Sequence, residues 1–148
     1  MNDAPRGAPR RIDSRYRLDE QVGFLLRKAT QRHITIFSRA ISDLTPPQFA
    51  ALAKLHEVGD TSQNQLGVLI AMDAATVKGV IDRLKKRGLV QLGKDAGDKR
   101  RLVVSLTPEG RQAIGDLLHM GHQVSADTLA PLNAREAATL LKLLSKIS

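Results

Sequence analysis

Three consecutive cations, Lys99, Arg100 and Arg101, stand in the stretch DAGDKRRLVVSLTPEG, residues 95–110, and are the side chains best placed to do chemistry. Asp95, Gly97 and Asp98 precede them, and a short β-branched run follows. A guanidinium on a thin turn fits the narrow, negatively polarised minor groove of a DNA duplex better than a bulkier element does. Arg100 is therefore expected to enter that groove, with Asp98 bracing it and Lys99 and Arg101 adding positive charge beside it. Taken alone, such a charge run is ordinarily a solvated surface, so the expectation depends on the elements that hold it.

A second set lies in DAATVKGVIDRLKKRG, residues 73–88. Here Ala75, Thr76, Lys78 and Gly79 occupy the exposed N-terminal positions of a helix that begins at Asp73. In a major groove Thr76 can hydrogen-bond a base edge, and Lys78 can meet a base or a phosphate. A third set, Arg32, His33 and Phe37, sits on the first helix, where His33 interrupts an apolar stripe between Ala29 and Ile36. Two readings stay open for it. One is a core histidine satisfied by a backbone or side-chain partner; the other is a ligand pocket between this helix and the DNA-binding part, apolar with a few convergent polar groups.

Other signals dissolve on inspection. GLVQLGKD, residues 88–95, nearly spells a phosphate-binding loop, but Asp95 replaces the required hydroxyl and the segment runs from helix to strand, opposite to the required order. His119 and His122 are three apart with no third ligand nearby, so exposed histidines are expected and no metal site. Met72 and Met120 read as apolar filler. No nucleophile and base, and no pair of acids, marks a catalytic site, so no enzyme is expected and no cofactor.

Composition frames these sets. With 148 residues the chain is about one domain long and can bury a core without staples. Lys and Arg outnumber Asp and Glu by 23 to 15, a net +8 with a pI near 10.3, so the long-range field attracts polyanions, nucleic acid before membrane surface. Cysteine is absent, which removes thiol catalysis and thiolate metal sites and fits a reducing compartment. Neither a signal peptide nor a membrane span is visible, and a cytoplasmic protein is expected.

The elements follow from caps and periodicity. Residues 1–17 combine Pro5, Gly7 and Pro9 with five arginines and show no hydrophobic period, which reads as a flexible basic arm. From Leu18, the positions Leu18, Val22, Leu25, Ala29, Ile36 and Ala40 describe one long amphipathic helix. Thr45, Pro46 and Gln48 form a capping box that starts a second helix towards Gly59. Thr61 or Ser62 caps a short third helix, with Leu66, Leu69 and Ile70 as its buried edge. The helix from Asp73 buries Val77, Val80 or Ile81, and Leu84, and stops at Gly88. LVQL and LVVSL are two strands of a hairpin. Thr107, Pro108 and Glu109 open a helix to about Ala130, and Asn133 with Glu136 caps a last one carrying Leu140, Leu141, Leu143, Leu144 and Ile147. Two short helices and a hairpin in this order make a winged helix-turn-helix, within a fold that is mainly α with a small β-hairpin. Such a fold can also serve as an RNA-binding or protein-interaction module. A footprint with two half-sites one helical turn apart separates a DNA regulator from that alternative.

From about residue 18 to 148 the sequence resembles the MarR family of bacterial winged-helix transcription regulators. The most specific piece is DKRRLVVSLTPEG, residues 98–110, which matches the family's D-x-R wing followed by L-T-x-x-G; LTPPQFAAL and ATVKGVIDRLKKRGLV match its second helix and recognition helix. The resemblance implies an obligate homodimer, built by the first and last two helices, that binds a pseudo-palindromic operator in double-stranded DNA and usually represses. It implies wing roles for Asp98 and Arg100 and recognition roles for Ala75, Thr76 and Lys78, while Gly79 departs from the longer side chain often found there. Family members with this style of first helix often respond to aromatic carboxylates or their coenzyme A thioesters. An effector of that class at Arg32 and His33, with Phe37 one turn beyond, is what the resemblance implies here. The expected organisation is a basic arm at 1–17, an N-terminal dimerisation helix at 18–44, a DNA-binding lobe at 45–106 and C-terminal dimerisation helices at 107–148.

Overall fold

A computed structural model describes residues 11–148; the first ten residues of the expected basic arm lie outside them. Among the described residues the elements run α1 (Val22–Ala40), α2 (Pro46–Val58), β1 (Thr61–Ser62), α3 (Gln63–Leu69), α4 (Ala74–Lys86), β2 (Val90–Lys94), β3 (Leu102–Leu106), α5 (Pro108–Leu129) and α6 (Ala134–Ile147). Most starts are written locally. Thr45 and Gln48 exchange side-chain and backbone hydrogen bonds at the head of α2, and Asn133 and Glu136 do the same for α6. Ser62, Asp73 and Thr107 cap α3, α4 and α5 by accepting from the backbone three residues on. Each such cap typically contributes about 1 kcal/mol.

One expected boundary differs. Leu18–Glu20 form a short 3-10 turn, and Gln21 is extended before α1 begins at Val22. Leu18 is exposed in the single chain, so no packing surface selects a continuous helix over the turn there.

The three strands form an antiparallel sheet in the order β1-β3-β2, with Ser62 opposite Val103 and Leu92 opposite Val104. β1, a strand of only two residues, carries no period that sequence reading can detect. Around the sheet, Leu52 and Leu55 of α2, Leu66 of α3, and Val77, Ile81 and Leu84 of α4 bury against Val90, Val104, Leu106 and Ile114. Phe37 and Ile41 bring the C-terminal half of α1 into the same core, and Phe37 meets the Phe49 ring edge-on at 5.8 Å between centroids. In α3 the buried positions are Leu66 and Gly67, with Ile70 partly covered. Leu69, expected at the buried edge, is instead 39% exposed because α3 ends on it, ahead of the left-handed Ala71 (φ 56°).

Glycines set two close approaches. A Cβ on Gly67 would lie 3.1 Å from the Met72 carbonyl oxygen and 3.2 Å from Val77 Cγ1, so α3 and α4 meet at a tight helix-turn-helix junction. Gly88 (φ 74°) ends α4 with paired bonds, Gly88 N–H to Lys85 O and Leu89 N–H to Leu84 O, the left-handed stop that glycine makes without strain. Immediately beyond it, Thr107 donates its amide to Leu89 O at 3.1 Å and its hydroxyl to Gly88 O at 2.6 Å. The first turn of α5 is thereby pinned onto the end of α4.

Two helices leave apolar faces open to water in the single chain. Val22, Leu25 and Leu26 on α1 and Leu140, Leu141, Leu143 and Ile147 on α6 are all exposed, and α6 buries none of its residues. Among the described residues no helix is long and apolar enough to cross a membrane.

Candidate nucleic-acid interface

The first turn of α4 is open to solvent and held by Asp73. Its Oδ1 accepts from the Thr76 amide at 2.7 Å. That bond first, and the Thr76 hydroxyl second, hold the Asp73 carboxyl below its ordinary value, with the Ala75 amide adding and partial desolvation opposing. Ala75 and Thr76 are exposed, as is Lys78 one residue past buried Val77. Lys78 Nζ pairs with Asp82 Oδ2 at 2.8 Å, but both side chains are more than half exposed, so the pair is weak and a phosphate can draw the ammonium away. A Cβ on Gly79 would lie 3.8 Å from Arg83 Nη1. The arginine one turn on therefore reaches back to the glycine, a residue that reading the first turn alone does not single out.

The depressed Asp73 carboxyl has a consequence for stability. A group whose folded value is lowered contributes stability above its unfolded value, 3.8, and loses it as pH falls through the folded value. Asp73→Asn keeps a competent cap without the titrating charge. Thermal melts from pH 7 to pH 3 should show wild type ahead of Asp73→Asn at neutral pH and the gap closing below about pH 4. A gap that stays constant across that range would refute the assignment.

The hairpin tip is built on backbone bonds. Asp95 Oδ1 accepts from the Gly97 amide and Asp98 Oδ1 from the Arg100 amide, each at 3.0 Å. Arg101 donates its amide to Asp98 O at 3.0 Å, and its carbonyl accepts from the Asp95 amide at 2.9 Å. Asp98 thus holds Arg100 through the main-chain amide. The side chains of Lys99 and Arg100 make no hydrogen bond or ion pair with any described residue, whereas Arg101 Nη2 donates to Ser62 Oγ at 3.2 Å. Between the hairpin and the start of α3 lies a cleft of about 640 Å³ lined by Gln63, Asn64, Gln65, Arg100 and Arg101. The three α3 amides were not singled out from sequence, where they read only as the polar start of a helix.

Arg32, His33 and Phe37 part company. Arg32 donates to the carbonyl oxygens of Thr128 at 2.6 Å and Asp127 at 3.1 Å, at the end of α5, where Asp127 O also accepts from the Ala130 amide at 3.4 Å. His33 Nδ1 lies 2.8 Å from Thr128 Oγ1, which itself donates to Val124 O at 2.8 Å. With that hydroxyl proton committed, Nδ1 is the donor, and Nε2 of the neutral ring is left as an acceptor. Phe37 is in the core, outside the cavity His33 faces.

That cavity, about 380 Å³, lies between α1, α5 and α6 and is lined by Leu26, Thr30, His33, Thr128, Leu140 and Leu144 among others. A separate cleft of about 640 Å³ opens between α1 and the helix-turn-helix, lined by Ile34, Ser38, Asp43, Arg83, Lys86 and Arg87. The pocket expected between α1 and the DNA-binding part thus exists, but the three residues expected in it do not line it. Across its mouth, Arg87 at the end of α4 donates to the Asp43 backbone carbonyl and pairs with Asp43 Oδ2 at 3.0 Å. His119 and His122 are exposed, and no group of three or more potential metal ligands is found among the described residues.

Comparison with known proteins bears on this geometry. The MarR family profile matches residues 42–101. Over 134 residues the chain is 42% identical to the HTH-type transcriptional repressor NicR of Pseudomonas putida, spanning 89% of this chain and 85% of that protein. The structure of a probable transcriptional regulator from Pseudomonas aeruginosa superimposes with a TM-score of 0.86 at 50% identity, covering 89% of this chain and all of the other. That of Bordetella bronchiseptica BpsR, described for the regulation of its DNA binding by 6-hydroxynicotinic acid, gives 0.84 at 40% identity, covering 89% and 96% of the two chains.

Proposed function

The chain belongs to the MarR family, whose members are DNA-binding transcriptional regulators and not enzymes, and from that premise we propose that it is a homodimeric repressor released from a pseudo-palindromic operator by a small aromatic or heteroaromatic carboxylate. One observation carries the reading: a single α3–α4–sheet unit offers both the open first turn of α4 and, on the hairpin, an Arg100 whose guanidinium has no hydrogen-bond or ion-pair partner among the described residues. Ala75, Thr76 and Lys78 are assigned to the major groove, and Arg100 to the adjacent minor groove with Lys99 beside it. The open apolar faces of α1 and α6 support the dimer, because contiguous leucine-rich surface is ordinarily closed by a partner. The division into a lobe at 45–106 and helices at 18–44 and 107–148 that join two copies follows from this.

For the effector we assign the cavity at His33. Its volume falls near the lower end of the roughly 300–1,000 Å³ range of ligand sites, which suits a single ring better than a whole coenzyme A thioester. A ring hydroxyl can donate to His33 Nε2, while the Thr30 hydroxyl can donate to a carboxylate. BpsR, with its response to 6-hydroxynicotinic acid, makes hydroxylated ring acids the first class to try. Effector and DNA then weaken each other's binding by the same factor.

The test is a DNA titration with and without 6-hydroxynicotinate, hydroxybenzoates, hydroxycinnamates and their thioesters. One panel member should lower affinity at least fivefold, a coupling of about 1 kcal/mol. His33→Ala should blunt that response while binding DNA as wild type does. A panel without effect, or a His33→Ala protein that responds normally, removes the cavity assignment.

A further inference from the structure

We infer that the two wing arginines divide their work, with Arg100 meeting DNA and Arg101 acting as a positioning residue that sets the angle of the wing by donating to Ser62. The inference rests on the DNA-binding reading above and goes beyond it in removing Arg101 from the contact set. Both backbone groups of Arg101 are spent closing the turn, its amide on Asp98 O and its carbonyl on the Asp95 amide. The side chain leaves towards β1, where its Nη2 reaches Ser62 Oγ at 3.2 Å.

Ser62 is not a passive acceptor. The same Oγ accepts from the Gln65 amide at 3.2 Å as the cap of α3, so one oxygen ties the root of the wing to the first turn of the helix-turn-helix. Few other bonds hold that angle. β1 pairs with β3 through two residues only, Thr61 with Val104 and Ser62 with Val103, and beyond that junction β2 and β3 continue as a two-stranded ribbon, the arrangement with the largest strand twist. Arg100, by contrast, has its amide fixed by Asp98 and its guanidinium without a partner among the described residues.

Salt dependence separates a brace from a contact, because each phosphate-neutralising cation removed lowers the slope of log K against log[salt] by roughly one. The probe is the duplex recovered by in vitro selection with the full-length protein, titrated across salt concentrations. Arg100→Ala should lose affinity and flatten the slope. Arg101→Ala should weaken binding about threefold to tenfold with the slope unchanged, and should speed amide exchange at residues 95–101. Ser62→Ala should weaken binding similarly, and the double variant should be no weaker than the worse single, since both remove the same link. Ser62→Thr, which keeps both hydroxyl and cap, should bind as wild type and guards against reading a folding defect as a lost brace. A flattened slope in Arg101→Ala, wild-type affinity in that variant, or additive losses in the double variant would overturn the inference. A wild-type protein with no salt-dependent duplex binding would instead remove the DNA-binding reading beneath it.

Discussion

Gly110→Ala is expected to lower the thermal midpoint by about 10 °C or more, a loss of at least about 3 kcal/mol at the upper end of overpacking effects. A Cβ at this position would sit 2.1 Å from the Leu89 carbonyl oxygen and 3.1 Å from its carbon. Neither atom can swing aside as a side chain does, because Leu89 O also accepts from the Thr107 amide. Relief requires α5 to slide along its axis, breaking the Gly110 N–H bond to Thr107 Oγ1 and the Thr107 hydroxyl bond to Gly88 O. Gly115→Ala on the same helix is the control. Nothing lies within 4 Å of its added carbon, so it should be neutral or gain up to about 1 kcal/mol from helix propensity. Circular-dichroism melts of the two variants decide the matter, and coincident curves would show that α5 is not seated as described.

Arg100→Ala should weaken binding to the selected duplex by about 1–3 kcal/mol, roughly fivefold to 150-fold, the cost of one groove contact. The guanidinium makes no hydrogen bond or ion pair with a described residue, so the melt of the variant should overlay that of wild type, and the loss should come from the complex. Narrow minor-groove sequence at the site of insertion should matter to wild type and cease to matter to the variant, because the groove's potential is what the arginine reads. Equal affinities at one salt concentration would take Arg100 out of the interface.

How much of this was legible in the sequence depended on reach along the chain. Thr45, Asp73, Thr107 and Asn133 announced their helices because a cap and its partner lie three residues apart, and Gly88 marked the end of α4 for the same local reason. The pairings that tie elements together were not legible. Arg101 finds Ser62 across 39 residues, Arg87 finds Asp43 across 44, and Arg32 finds the end of α5 across 96. Each uses a long, exposed side chain whose type is common on surfaces, so no spacing singles it out. His33 was marked by its place in an apolar stripe; Thr128 is the side-chain partner that the first reading asked for, while the cavity His33 lines lies against α5 and α6 and not, as the second reading had it, against the DNA-binding part. Phe37 shared that stripe and was drawn into the core, since a ring gains more from packing on Phe49 than from lining a polar-edged cavity.

The bond between Arg87 and Asp43 gives α4 a mechanical character. The helix is about 20 Å long and is fastened at its far end to the corner between α1 and α2, while its near end carries Ala75 and Thr76. Because Val77 packs tightly against Gly67 at the junction with α3, α4 can turn about Arg87 only together with α3. A turn of about 10° there displaces the tip by about 3.4 Å, the rise of one base step along the duplex axis. A side chain poised over one base step is then carried to the next, so a turn of the α3–α4 pair by that small angle is enough to put the protein out of register with its site.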